Sequence, residues 1–150
     1  MSEVRAVKIE SEFSVHAARE KVFAAFCNEQ HNWYPHTYGG DRVKAIVMEP
    51  RVGGQVFEDW GNGAGHLYGT VSHYDPPAAL SIRSRLADGI LLEHHTHFVA
   101  DGDATVIKDR MVAFGEISDD MAEGIRLHGD LARYEGHLRS WVEKGVTLKA

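Results

Sequence analysis

Residues Ile90–Phe114 read ILLEHHTHFVADGDATVIKDRMVAF, two β-rich runs hinged on Gly102-Asp103. A Gly-Asp pair between two such runs is a two-residue hairpin signal. Folding the chain about that turn sets Phe98 opposite Ile107, Thr96 opposite Asp109 and His94 opposite Met111 on one face. The other face pairs His97 with Lys108 and His95 with Arg110. The Phe98/Ile107 face must be the buried one, because the other carries lysine and arginine. Asp109, Thr96 and His94 therefore point inward.

Working outward from this hairpin, the preceding chain carries the punctuation of an antiparallel meander. Arg42–Glu49 ends at Pro50, and Gly53-Gly54 opens Gln55–Trp60. Gly61, Gly63 and Gly65 turn into His66–Tyr74, Asp75-Pro76-Pro77 into Leu80–Leu86, and Ala87-Asp88-Gly89 into Ile90–Ala100. Residues 4–13 add a strand with Val7, Ile9 and Phe13 in one phase. Residues 17–27 switch to helical spacing, with Ala18, Val22, Ala25 and Phe26 on one face. The fold class is α+β, with about seven antiparallel strands and two short helices after the first. The alternation predicts that Val56, Glu58 and Trp60 face inward. It predicts the same for Leu80, Ile82, Ser84 and Leu86, with Arg83 and Arg85 outside.

The chain is expected to end in one long helix over residues 118–144, capped by Ser118 and Asp120 and stopped at Lys144-Gly145. Leu127, Leu131, Tyr134, Leu138, Trp141 and Val142 fall on one arc, with Gly124, His128 and Glu135 at its edge. Gly124, Gly129 and Gly136 each cost a helix up to ~1 kcal/mol relative to alanine. Either the helix packs closely there or it is loosened.

The chain's 150 residues make one ordinary domain, and 43% hydrophobic with 25% charged residues is globular composition. A net charge of −6 argues against general affinity for nucleic acid or anionic membranes. One cysteine, Cys27, excludes an intrachain disulfide and fits a reducing compartment. With no apolar leader and no run long enough for a membrane span, the expected location is the cytoplasm.

Several short motifs, in this order, resemble the START-like SRPBCC superfamily, most closely its Hsp90-ATPase-activator-homologue-like branch. They are Ser14…Glu20-x-Val22-Phe23-x-x-Phe26, Trp33-Tyr34-Pro35, Arg51-Val52-Gly53-Gly54, Gly69-Thr70-Val71…Asp75-Pro76-Pro77…Leu80 and Tyr134-x-x-x-Leu138-x-x-Trp141. Valine stands at Val52 where the family usually has proline, and Tyr134 and Trp141 stand where it usually has tryptophan and leucine. The resemblance implies a helix-grip fold, a curved sheet around the C-terminal helix with an apolar cavity between them. It also implies that the aromatic segment Trp33–Tyr38 borders the cavity mouth. Members bind lipids, sterols or polyketides, some catalyse cyclisation or hydration, and some regulate chaperones. Fold alone does not choose among these.

Chemistry in such a cavity falls to its polar residues. An unpaired carboxylate in an apolar site costs several kcal/mol, so Asp109 needs a partner, water or a raised proton affinity. It is either a pocket acid/base or ligand anchor, with His94 or Glu58, or a group satisfied by Thr96 and a buried water. Asp109, His94 and Glu58 are the catalytic candidates. The candidate ligand-binding set is Trp33, Tyr34, Val56, Glu58, Trp60, Ile82, Ser84, His94, Thr96, Phe98, Ile107, Asp109, Met111, Ile125, His128, Leu131 and Glu135.

His94-His95-x-His97 suggests a metal, but the strand splits the histidines between two faces, and Lys108 and Arg110 oppose two of them. A dedicated metal site is not expected. Gly61-Asn62-Gly63-Ala64-Gly65 lacks the Lys-Ser/Thr of a phosphate loop. Cys27 reads as a packed thiol. Arg83, Arg85, His95, His97, Lys108 and Arg110 form a basic outer stripe, a docking surface or a solvated face offset by Glu93. The leading expectation is a carrier for a small hydrophobic or amphipathic molecule. A cyclase, dehydratase or hydrolase, and a chaperone-regulating module, are the alternatives. No cofactor is demanded, and a monomer or homodimer is expected.

Overall fold

The computed structural model describes residues 3–86 and 89–148. These form a single seven-stranded antiparallel sheet of β1 (Glu3–Val15), β2 (Ala45–Met48), β3 (Gln55–Gly61), β4 (Ala64–Asp75), β5 (Ala79–Arg85), β6 (Leu91–Asp101) and β7 (Ala104–Ile117). The order across the sheet is β1-β7-β6-β5-β4-β3-β2. The six later strands are a simple meander, and β1 returns beside the last of them. The β6/β7 register is the expected one, with Phe98 paired to Ile107, Thr96 to Asp109 and His94 to Met111. Ala87 and Asp88 of the expected turn before β6 lie outside the described residues.

The Arg51–Gly54 turn shows why its glycines stand where they do. Gly53 has a left-handed φ of 81°, which costs glycine nothing but strains other residues. A methyl on Gly54 would lie against the backbone oxygens of Glu49 and Arg51. The strand expected over Arg42–Glu49 is shorter than its sequence suggested. Gly40–Arg42 forms a turn of 3-10 helix before β2, allowed by Gly40 at a φ of 56°.

Helices α1 (Arg19–Asn28) and α2 (Gln30–Trp33) cross one end of the sheet. Phe23 and Phe26 reach Phe98 edge-on, at ring separations of 5.1 and 5.4 Å. Trp33 is fully buried and donates its indole N–H to the Ala25 carbonyl at 2.9 Å. This end of the core also takes in Val15, Val22, Val56, Leu80, Ile107, Leu138 and Val142.

The C-terminal segment departs from the expected single helix. It runs as α3 (Asp119–Gly129), a 3-10 turn over Leu131–Tyr134, and α4 (Glu135–Lys144). Ser118 caps α3 by accepting from the Met121 amide, and Gly145, in the left-handed region, closes α4. The break falls at Gly129-Asp130. Asp130 leaves helical geometry and its carboxylate accepts from the Ala132 amide at 3.0 Å, a local bond that competes with the helix. Gly129 lets the movable end of the Met111 side chain pack where a Cβ would be, whereas Gly124 and Gly136 face open space.

The break also resets the helical phase. Leu127, expected on the apolar arc, is 48% exposed, while Ala122 and Ile125 are buried instead. They pack with Val7, Ile90, Met111, Ala113 and Ile117 in a second core cluster. The molecule thus has one core under α1, α2 and α4, and another under α3. No helix among the described residues is long and apolar enough to cross a membrane.

Candidate functional site

Between the two core clusters lies a cavity of about 720 Å³. Its sheet wall is built by Val56, Leu80, Ile82, Ser84, Leu92, His94, Thr96 and Met111. Phe26, Trp33 and Tyr34 enclose one side, and Met121, Ile125, His128, Leu131 and Tyr134 the other. Tyr34 meets Tyr134 edge-on at 5.2 Å, and His36 packs on both rings at 6.0 and 5.5 Å. The predicted aromatic border is therefore present, and it is closed by a residue of the broken C-terminal segment. Burial, followed by the neighbouring Tyr134, holds the Tyr34 hydroxyl far above the usual tyrosine range, so the phenol is neutral.

Of the expected ligand-contacting residues, Trp33, Tyr34, Val56, Ile82, Ser84, His94, Thr96, Met111, Ile125, His128 and Leu131 border the cavity. Phe98 and Ile107 share the inward face but are sealed in the core under α1. Trp60 is turned aside. Its indole covers Gly39, where a Cβ would collide with it, and the Arg42 guanidinium lies 4.1 Å over its ring. Glu135 is separated from His128 by the break and pairs with Arg139 at 3.5 Å, so the shared edge expected of these two does not form. Arg85, expected outside, is exposed yet borders the cavity at the end of β5.

Asp109 and Glu58 stand behind the wall rather than on it. Asp109 is 5% exposed. Thr96 donates its hydroxyl to Oδ1 at 2.7 Å, and His94 Nε2 lies 3.1 Å from Oδ2. That second contact is at ion-pair distance but is not aligned as a hydrogen bond. Thr96 partners Asp109, one half of the expectation that Thr96 and a buried water satisfy it, and His94 approaches the other oxygen.

Glu58 is fully buried and has four donors. Oε1 accepts from the Gly39 amide at 2.9 Å and the Trp60 indole at 3.0 Å. Oε2 accepts from the Tyr38 amide at 2.6 Å and from the Tyr68 hydroxyl. Burial alone would raise the Glu58 pKa, but the hydrogen bonds from Tyr68, Tyr38, Trp60 and Gly39 together bring it below the usual carboxylate value. Burial and this carboxylate push the Tyr68 hydroxyl far upward. Glu58 thus pins the Tyr38-Gly39 segment, where Tyr38 stacks on His66 at 3.7 Å, and orients Tyr68 at the cavity.

Tyr68 and His66 escaped the sequence reading for a reason. Val56 pairs with Gly69 and Phe57 with Leu67, so Tyr68 is the extra residue of a bulge. A bulge shifts the inward phase by one, which alternation alone does not reveal. The outer stripe, in contrast, is in part ion-paired. Arg83 pairs with Glu93 at 3.2 Å and Lys108 with Glu12 at 3.8 Å.

No protein-family model matches the chain, and no curated protein matches it in sequence. Solved structures do. The Aha1 dimer from Colwellia psychrerythraea superposes with a TM-score of 0.66 at 18% identity, covering 93% of this chain and 98% of that one. CalU16 from Micromonospora echinospora gives 0.62 at 16% identity over 93% and 87%. A norcoclaurine synthase point mutant from Thalictrum flavum, in complex with a transition-state analogue, gives 0.61 at 14% identity over 95% and 98%. At these identities the likeness speaks to architecture, and it agrees with the topology derived above: the chain has a helix-grip fold.

Proposed function

We propose that this protein binds a small amphipathic molecule in the cavity between its sheet and its C-terminal helices. The observation that carries this is the cavity itself, about 720 Å³ in size and within the range of sites that enclose drug-sized ligands. Its walls are aromatic and aliphatic, which would supply affinity by removing apolar surface from water. A few polar groups, His94, Thr96 and Tyr68, converge on the space and would fix orientation. That a norcoclaurine synthase of the same architecture was solved in complex with a transition-state analogue supports reading this fold as one that holds a small molecule.

A second reading, acid–base catalysis on the bound molecule, is favoured by one observation. A buried carboxylate placed 3.1 Å behind an imidazole is the arrangement that orients a histidine for proton transfer. In that reading His94 moves the proton and Asp109 positions it.

Native mass spectrometry of gently purified protein tests the first reading. A reproducible added mass that is lost on denaturation is expected. Protein that stays at its apo mass, and also takes up no aromatic probe offered at high micromolar concentration, would contradict it. Asp109→Asn then separates the two readings, because a carrier keeps its ligand whereas a catalyst loses turnover.

A further inference from the structure

Resting on the reading of the cavity as a binding site, the placement of charge around it narrows the ligand and orients it. Histidines apart, Arg85 is the charged side chain on the cavity border among the described residues. Two residues earlier on β5, Arg83 pairs with Glu93 on the outer face at 3.2 Å. Arg85 is exposed and has no ion-pair partner among the described residues. Ser84 borders the cavity beside it. It pairs with Gly69 on β4, where a Cβ would stand 2.6 Å from the Ser84 hydroxyl, so the bare glycine leaves that hydroxyl its place. Among the described residues no protein group takes its proton. A guanidinium and a hydroxyl on successive residues, both with donors to spare, are the chemistry that receives a carboxylate.

The deep end of the same wall has the opposite charge. Ser84 pairs with Leu92, Ile82 with His94 and Leu80 with Thr96, and Thr96 pairs with Asp109. Asp109 is therefore displaced from Ser84 by four residues of register, about 13 Å along the strand direction. The wall between them carries Ile82, His94 and Met111. An acid entering head first would carry its charge through apolar surroundings towards a buried carboxylate, which is unfavourable on both counts. Entering tail first, it buries its apolar body and leaves its carboxylate at the rim, within reach of Arg85 and of water.

We infer that the occupant is an amphipathic acid, an apolar body ending in a carboxylate, held tail inward with the carboxylate at Ser84 and Arg85. The chain's net charge of −6 gives it no general attraction for anions, so a preference for acids reports this rim.

Pyrenebutyrate and pyrenebutanol test the inference, because they share one skeleton and chain length and differ in the charge at the end. The polarity-sensitive pyrene emission reads their binding. At low salt pyrenebutyrate should bind roughly threefold or more tighter than pyrenebutanol, the advantage of one exposed ion pair with a hydroxyl beside it. Arg85→Gln should bring the ratio towards one, whereas Arg83→Gln should leave it nearly unchanged. Both arginines are exposed, so both variants should fold. Pyrenebutanol binding as tightly as pyrenebutyrate, a ratio that survives Arg85→Gln, or one that falls equally in Arg83→Gln would overturn the inference and leave the cavity a binding site. If neither probe binds, the cavity reading and this inference fall together.

Discussion

Replacing Glu58 probes the most heavily bonded polar group in the site. Its two oxygens accept from two backbone amides, an indole and a phenol. In Glu58→Gln, the amide oxygen can keep the Gly39 and Trp60 donors. The new NH2 then faces the Tyr38 amide, donor against donor, while Tyr68 can rotate its hydroxyl and accept. One buried N–H is left without an acceptor, which costs about 1–3 kcal/mol. Glu58→Leu strands all four donors, and the loss rises to about 3–5 kcal/mol, the range for breaking a buried charge–partner set. For a domain of this size each kcal/mol lowers Tm by roughly 2–4 °C. The expected falls are therefore about 2–12 °C for glutamine and about 6–20 °C for leucine.

The pH dependence of the same variants follows from linkage. The Glu58 pKa is lower in the folded chain than in the unfolded one, so between the two values the unfolded chain binds more protons and stability rises with pH. The contribution is complete above the unfolded value of about 4.3 and is lost as pH falls through the folded value. Urea denaturation at a series of pH values reads both effects. Wild type and Glu58→Gln should differ most near neutrality and converge in acid. A leucine variant within about 0.5 kcal/mol of wild type, or a stability gap that does not shrink in acid, would refute the reasoning.

Other expectations are more local. Gly54→Ala should destabilise the protein by about 3 kcal/mol or more in chemical denaturation, because its methyl meets fixed backbone oxygens rather than movable side chains. Gly136→Ala, with nothing near its would-be Cβ, should instead stabilise α4 by about 0.5–1 kcal/mol. Burial pushes the Cys27 thiol up to about 12, so at pH 8 it should resist a thiol-labelling reagent in folded protein and react quickly once the chain is unfolded. Thr96→Val keeps the shape of the wall but removes the donor to Asp109, and thermal unfolding should show a loss of about 1–3 kcal/mol.

The sheet was legible because its determinants are local. Gly102-Asp103 sets the β6/β7 register, and the Lys108/Arg110 side can only face water, so the placement of Thr96, Asp109 and Met111 follows from the sequence. The C-terminal segment was not legible, because the Asp130 bond to the Ala132 amide that breaks it competes with a helical periodicity that continues on both sides. Gly129 and Asp130 look like tolerable interruptions of a helix until the Asp130 carboxylate is seen to start a new 3-10 turn. The same break explains why Leu127 is exposed and why Glu135 parts from His128. Glu58 was correctly set inward by alternation. Its four partners, however, come from a loop and from a β-bulge, and neither has a periodicity to read. Of the catalytic candidates, His94 thus stands on the wall, whereas Asp109 and Glu58 stand behind it as buried partners of wall residues, and the Glu58 set is disclosed only by the packing of a loop on two strands.

The most direct test of the central claim, that the cavity is where a ligand sits, is a methyl NMR spectrum of methionine-labelled protein titrated with hydroxypyrene. Met111 and Met121 border the cavity, whereas Met48 is buried in the core and does not line it. An aromatic occupant should shift the Met111 and Met121 methyl signals by ring current and leave Met48 in place. Saturable binding that moves neither Met111 nor Met121 would put the ligand elsewhere and contradict the account.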